Sequence, residues 1–411
     1  MHDSSPEVKT NAYTRIPLYL KIVVALILGA LLGQFGKQIG IDATKLKWIS
    51  DLVLRMLRLL ATPLIFSAIL GSIVSAQATG KKTGRLMFLL ATNSVVAILV
   101  GLVVANTIRP GQHLTLVRDT KLSDSTPYNI WQHLFDSVPT DFLSPFVKND
   151  MISIIFLAVV LGFAMRILLQ NPNPQIVRSV TSLQNVMSAL FQLMVTILKW
   201  VFELVPLAVF AVVAAVVADK GLGQLYQMGY WIGAVLVALV LMMGFYLLRL
   251  MLQSKVKPSH FLRAGSDAFT MAFSTASSAA TLPVTYRCAV ENMGIRPDSA
   301  NLGIMVGGTF NHDGTALYEA MAALFVAQGL GHNLPIQQQV IVVVMAMVAS
   351  VGAAGIPNAG LVTMIAVFKA VDLPIEYIPF LLTVDWFLDR CRTTINVMGD
   401  MTSTCILDAK D

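Results

Sequence analysis

The hydrophobic pattern divides the chain into two parts. A bilayer crossing needs about 20 apolar residues, and the first part supplies a row of such runs. They are Pro17–Gly36, Ile49–Val74, Leu86–Ile108, Ile152–Leu169, Val180–Val217 and Met228–Leu252. The fifth run is too long for one upright crossing and is expected to tilt or bend. After residue 252 every run is interrupted. Phe261–Tyr286 is weakly apolar and broken by S-T-A-S-S and Pro283, Asn301–Gln328 is broken by N-H-D-G-T, and Val340–Val371 is broken by S-V-G-A-A-G-I-P. A final apolar helix follows around Val384–Asp400. At about 100° per residue, its Asp385, Asp389, Arg392, Asn396 and Asp400 fall within a stripe roughly 80° wide. One unpaired charge at the bilayer centre costs about 2.5–3.5 kcal/mol even on the gentlest scale, so several on one line point to use.

The interrupted part reads as an internal repeat. Each half has an apolar segment broken at a tip of small residues and proline, followed by a helix carrying Asn and Asp. The first tip is Ser277–Pro283, with Asn311 and Asp313 on the following helix; the second is Ser350–Pro357, with Asn396 and Asp400. Paired interrupted segments at matching positions are the best sequence pointer to a transporter binding site.

Composition agrees. Of 411 residues 56% are hydrophobic and 13% charged, where a soluble domain carries about 25% charged residues. The reading is an all-α polytopic membrane protein. The net charge of +6 does not imply a nucleic-acid partner, because the basic residues sit in short loops between apolar runs. Lys9, Arg15, Lys81, Lys82, Arg85, Arg166, Arg178, Lys255, Lys257 and Arg263 share one side, which predicts a cytoplasmic N terminus in a cell membrane. Lys37, Lys45 and Lys47 break the rule. Cys288, Cys391 and Cys405 have no metal-like spacing, and no cleavable signal sequence is expected at the N terminus.

The broken tips expose backbone N–H groups at a helix start, where anionic groups bind. Arg392 offers a planar fork for a carboxylate, and Asp389, one turn earlier, can hold an ammonium. A ligand with two carboxylates and one ammonium, aspartate or glutamate, matches a tip, Arg392 and Asp389 together. Asp313 and Asp400, with Asn311, Asn396 and main-chain oxygens, are hard ligands for an alkali cation. Each feature also has a plainer reading: Asp389 and Arg392 as an i,i+3 ion pair, the Ser-Ser tip as a kink, Asn311 as a helix–helix hydrogen bond, His312 as a packed, hydrogen-bonded imidazole rather than a titrating group, and Arg390 as a residue at the stripe's edge. Glycines in the early runs read as helix-packing sites.

The long motifs N-x-D-G-T-A-L-Y-E-A (Asn311–Ala320), G-A-A-G-I-P-x-A-G-L-V-T-M (Gly352–Met364) and D-W-F-L-D-R-x-R-T-T-x-N-V-x-G-D (Asp385–Asp400) resemble the glutamate transporter family of dicarboxylate/amino acid:cation symporters, over nearly the whole chain. The resemblance implies eight transmembrane helices plus two re-entrant helical hairpins with inverted repeats, in a homotrimer working as an elevator. It implies a scaffold over 1–75, the third helix in a transport domain and the fourth in the scaffold over 76–177, scaffold again over 178–226, and transport domain over 227–411. It implies substrate contacts at Ser278, Thr315, Ile356, Asp389, Arg392, Thr393 and Asn396. One sodium site would use Gly307, Asn311, Asn396 and Asp400; a second Thr309, Ser350, Val351 and Ala353; a third Asn93, Ser94, Asn311 and Asp313.

Within that family, neutral amino acid exchangers lose the arginine matching Arg392, dicarboxylate carriers lose the aspartate matching Asp389, and proton-coupled members tend to carry asparagine at Asp400. All three residues are present here, which favours acidic amino acids and sodium, without an organic cofactor or covalent chemistry. Arg390 with Ala276 resembles the eukaryotic, excitatory amino acid transporter-like arrangement. Two departures stand out: His312 replaces a methionine, and the third site lacks a tyrosine near Leu90 and has Asn93 for threonine. His312 is expected to make transport pH-sensitive. The runner-up is a proton-coupled glutamate/aspartate or dicarboxylate symporter. An intramembrane aspartyl protease and an anion channel are the rivals from other classes; the G-x-G-D run that such a protease needs is absent, since Val397 stands where its first glycine belongs.

Overall fold

The computed structural model describes residues 17–75, 81–112, 114, 135, 138–352 and 360–409. The predicted apolar runs are helices: α1 Leu18–Phe35, α2 Lys47–Ser75, α3 Lys81–Ile108, α4 Met151–Leu168, α5 Pro174–Lys220 and α6 Gly223–Gln253. Among the described residues these six are long and apolar enough to cross a membrane. The long fifth run is one helix of 47 residues, with Pro206 inside it removing one amide from its ladder. At 1.5 Å per residue it spans about 70 Å, roughly twice the bilayer core.

The interrupted part breaks where the sequence places small and polar residues. A short helix, Pro258–Ala264, leads into α7 Ser266–Thr275, and α8 Ser278–Arg287 packs back against α7. The turn between them puts Ala276 in the left-handed region, φ 50°. Ser277 caps α8 by accepting from the Ala280 amide at 3.2 Å. The second interrupted run splits into α9 Pro297–Phe310 and α10 Asp313–Gly329, on either side of Asn311 and His312. α11 Ile336–Gly352 and α12 Gly360–Ala370 pack together; the tip joining them lies outside the described residues. α13 then runs unbroken from Ile378 to Ala409. The two halves of the expected repeat therefore differ: the first ends in a split helix, the second in a continuous one.

Two groups of helices emerge from the packing. α5 lies against α1 and α2, and α2 against α4; α10 and α13 are surrounded by α3, α6, α7, α9 and α11. Gly29 and Gly33 of α1 serve the close approach to α5, since a Cβ on either would fall 2.7 or 2.6 Å from the carbonyls of Phe210 and Ala214. Burial is inverted relative to a water-soluble protein. Leu59, Phe88, Trp200 and Met251 face outward, while α10 and the middle of α13, with their carboxylates, are enclosed. That arrangement is stable when the surroundings are hydrocarbon and the polar groups find partners inside.

Candidate functional site

The stripe on α13 is buried: Asp385, Asp389, Arg392, Asn396 and Asp400 all lie inside. Arg392 is its centre. Its Nη2 donates to Asp389 Oδ1 at 2.7 Å and lies 3.0 Å from Asp385 Oδ1. The second contact is an ion pair without hydrogen-bonding alignment, and neither Asp385 oxygen has a hydrogen-bond partner. The guanidinium stacks on the Tyr318 ring from α10, 3.9 Å from its centroid, the geometry of a strong cation–π contact. Both carboxylates act on one nitrogen. Nε and Nη1 of Arg392 are buried donors without an acceptor, and leaving such groups unmade costs about 1–3 kcal/mol each, more for charged ones. So the i,i+3 ion pair exists and still leaves most of the guanidinium available.

Other elements converge here. The start of α12 lies alongside: a Cβ on Gly360 would sit 3.2 Å from Thr315 Cγ2 and 3.9 Å from Arg392 Nη2. Thr315, on the first turn of α10, has its hydroxyl 3.4 Å from the Asn396 amide. α8 packs on α13, and the Ser278 hydroxyl is buried without a partner. Thr393 is also buried. Arg390 does not merely sit at the stripe's edge: it donates to the carbonyls of Phe273 and Ser274 at 2.9 and 2.6 Å. Those are last-turn carbonyls of α7, which the helix itself cannot satisfy, so α13 holds the tip of the first hairpin.

A second cluster forms where α9 stops. The break exposes the first amides of α10, and Asn396 Oδ1 accepts from the Gly314 amide at 2.8 Å. Asn311 Nδ2 donates to Asp400 Oδ1 at 3.0 Å and to the Asn396 carbonyl at 3.3 Å. Its Oδ1 is buried without a partner. Gly307 and Gly399 permit this closeness. A Cβ on Gly307 would lie 2.8 Å from Asp400 Oδ1, and one on Gly399 would lie 2.6 Å from both Asn311 Nδ2 and the Tyr246 hydroxyl. The C-terminal end of a helix, a carboxylate and a free amide oxygen together favour a cation. Gly307, Asn311, Asn396 and Asp400 are thus brought together.

The remaining assignments fare differently. Thr309 and Ser350 bond within their own helices, to the carbonyls of Met305 and Met347 at 3.0 and 2.9 Å. Val351 is half-buried, and Ala353 and Ile356 lie outside the described residues. Ser94 donates to Asp313 Oδ1 at 2.6 Å, whereas Asn311 turns its amide to Asp400. His312 is buried, but neither ring nitrogen has a hydrogen-bond partner, which corrects the expectation of a hydrogen-bonded imidazole.

Three residues were missed. Tyr246 on α6 donates to Asp313 Oδ2 at 2.5 Å. Arg249, one turn later, donates to Asn93 Oδ1. Glu319 on α10 is buried and accepts from the Thr363 hydroxyl of α12. An arginine and a glutamate inside apolar runs were the available signals. Nothing in the spacing said that Arg249 turns inward, because an arginine near a span's end ordinarily reaches the interface.

The family model described as sodium:dicarboxylate symporter family matches residues 18–410. The chain is 30% identical to excitatory amino acid transporter 1 of Ambystoma tigrinum, covering 94% of this chain and 81% of that protein. It is 29% identical to the proton/sodium-glutamate symport protein of Geobacillus stearothermophilus, covering 96% and 94%. It is 27% identical to the C4-dicarboxylate transport protein of Rhodospirillum rubrum, covering 95% and 87%.

Proposed function

Because the chain belongs to the sodium:dicarboxylate symporter family, a family of multi-pass membrane transporters, we propose that it imports aspartate or glutamate together with sodium ions. The observation that carries the substrate is the Arg392 cluster. One guanidinium stands between two carboxylates, with Nε and Nη1 unpartnered. A substrate carboxylate fits the open guanidinium donors. It brings negative charge into a cluster that already holds two carboxylates, so the substrate's own ammonium, held by Asp389, is needed for balance. A plain C4 dicarboxylate brings two negative charges and no cation. This favours an amino acid, although relatives of both kinds resemble the chain.

Sodium is supported by the polar cluster at the end of α9. Asp400, the Asn311 oxygen and helix-end carbonyls offer hard ligands at the atoms where charge is uncompensated. Substrate and ion sites share Asn396 and the first turn of α10, so filling one orders groups that the other uses. The second hairpin, whose α12 borders Arg392, closes only over a filled site in this reading. The helix packing supports the division into a scaffold (α1, α2, α4, α5) and a moving transport domain. Homotrimeric assembly, the elevator motion and a cytoplasmic N terminus belong to the same proposal.

Labelled L-aspartate uptake into proteoliposomes tests it, with an inward sodium gradient compared against an inward proton gradient without sodium. Uptake that requires sodium is expected. Uptake driven by protons alone removes sodium from this reading, and succinate preferred over aspartate removes the amino-acid assignment.

A further inference from the structure

Of the four residues matched to a third sodium ion, Asn93 has its side-chain oxygen occupied by a fixed cation. Asn93 Oδ1 faces the guanidinium of Arg249, and Asn93 Nδ2 donates to Ser403 Oγ at 3.1 Å. Ser94 and Tyr246 point their hydroxyl protons at the two oxygens of Asp313, at 2.6 and 2.5 Å. Asn311 gives its amide to Asp400 and to the Asn396 carbonyl. A bare alkali cation needs several oxygen lone pairs directed at one point, and here the Asn93 oxygen already faces a positive charge while each Asp313 oxygen accepts a hydroxyl proton.

The cluster nevertheless holds a cation, and it is covalently attached. Arg249 is 7% exposed, on α6 between α3 and α13. Its Nη1 also reaches the Leu89 carbonyl at 3.5 Å, and its guanidinium carbon lies 5.6 Å from the Phe245 ring centroid. Tyr246, one turn earlier on the same helix, donates to Asp313 Oδ2, so the guanidinium and the carboxylate belong to one cluster. A sodium ion on the Asn93 oxygen would have to displace a like charge that cannot diffuse away.

We propose that Arg249 is a tethered counter-cation that takes the place of one transported sodium, so that each protomer binds at most two. This rests on the sodium-coupled reading above. The consequence follows from cycling: a bound ion is released inside and adds one factor of the sodium gradient to substrate accumulation, whereas a fixed guanidinium returns with the protein and adds none. Arg249 lowers the coupling ratio while keeping Asp313 compensated in the empty carrier.

Equilibrium binding of radioactive sodium to the purified full chain, with saturating L-aspartate, tests this in wild type, Arg249→Gln and Arg249→Lys. Wild type is expected to hold two sodium ions per protomer, Arg249→Gln one more, and Arg249→Lys the wild-type number, because the ammonium keeps the charge. A purely structural role lowers the melting temperature of the Gln variant and leaves the count unchanged, which overturns the proposal. Three ions on the wild type also overturn it, and that measurement decides the matter if the Gln variant does not fold. If neither protein binds sodium, sodium coupling and this inference fall together. If only the Gln variant binds it, the inference stands and the sodium-coupled reading falls.

Discussion

Among the described residues, two arginines are buried beside carboxylate-bearing helices, and they are wired in opposite ways. Arg392 faces Asp385 and Asp389 through a single nitrogen and keeps two others unpartnered. Arg249 gives its Nη1 to a neutral amide oxygen, in a cluster whose donors and acceptors answer each other. Both are expensive to bury, so burial does not tell them apart. Unmet hydrogen-bonding capacity does: it marks the place where a ligand completes the structure, and its absence marks a cluster already complete.

The most severe test of that contrast is Arg392→Ala. Truncating one partner of a buried, hydrogen-bonded charge pair costs about 2–5 kcal/mol, so aspartate affinity is expected to fall by roughly 30- to 4,000-fold at about 1.4 kcal/mol per decade. Binding isotherms on protein with an unchanged size-exclusion profile measure it. Unchanged aspartate affinity removes Arg392 from the site.

Asp389→Asn sharpens the comparison further. It removes the partner of the substrate's ammonium but keeps the side-chain shape. A hydrogen bond to a charged group contributes about 1.5–3 kcal/mol, so the aspartate-over-succinate preference is expected to drop about 10–100-fold. Competition by succinate in the uptake assay reads this ratio directly. A preference that does not move returns Asp389 to the role of a structural ion pair.

The smallest effect is expected from His312→Met, at the residue that precedes Asp313 in the chain. The variant should keep aspartate affinity and leave the uptake profile between about pH 5 and 8 unchanged, because a buried imidazole with neither nitrogen hydrogen-bonded has no acceptor for a second ring proton. Identical profiles in both proteins would leave His312 as packing alone; a flatter profile in the variant would restore it as a titrating group.

Much of the fold was legible beforehand because apolar length and interruption are local properties. The six uninterrupted runs, the breaks at Ser277 and at Asn311–His312, and the α13 stripe depend only on residue type and helical period. The stripe was legible because a charge enclosed in an apolar helix has few places to go. Arg249 was not, since an arginine one turn from the end of an apolar run can reach the interface or turn inward, and only the position of α3 decides. Tyr246 was hidden as an ordinary aromatic in an apolar stretch; its hydroxyl matters only because α10 brings Asp313 to it. Asn311 was matched to two clusters, and the close approach at Gly399 assigns its amide to Asp400.

The sequence by itself determined that the chain is helical, membrane-bound and built around charged, interrupted segments, because hydropathy, periodicity and helix breaking act over a few neighbouring residues. Tertiary structure alone decided which oxygens remain available for a ligand. Pairing of donors with acceptors joins residues such as Arg249 and Asn93, or Asn311 and Asp400, that lie far apart along the chain and meet only when the helices pack.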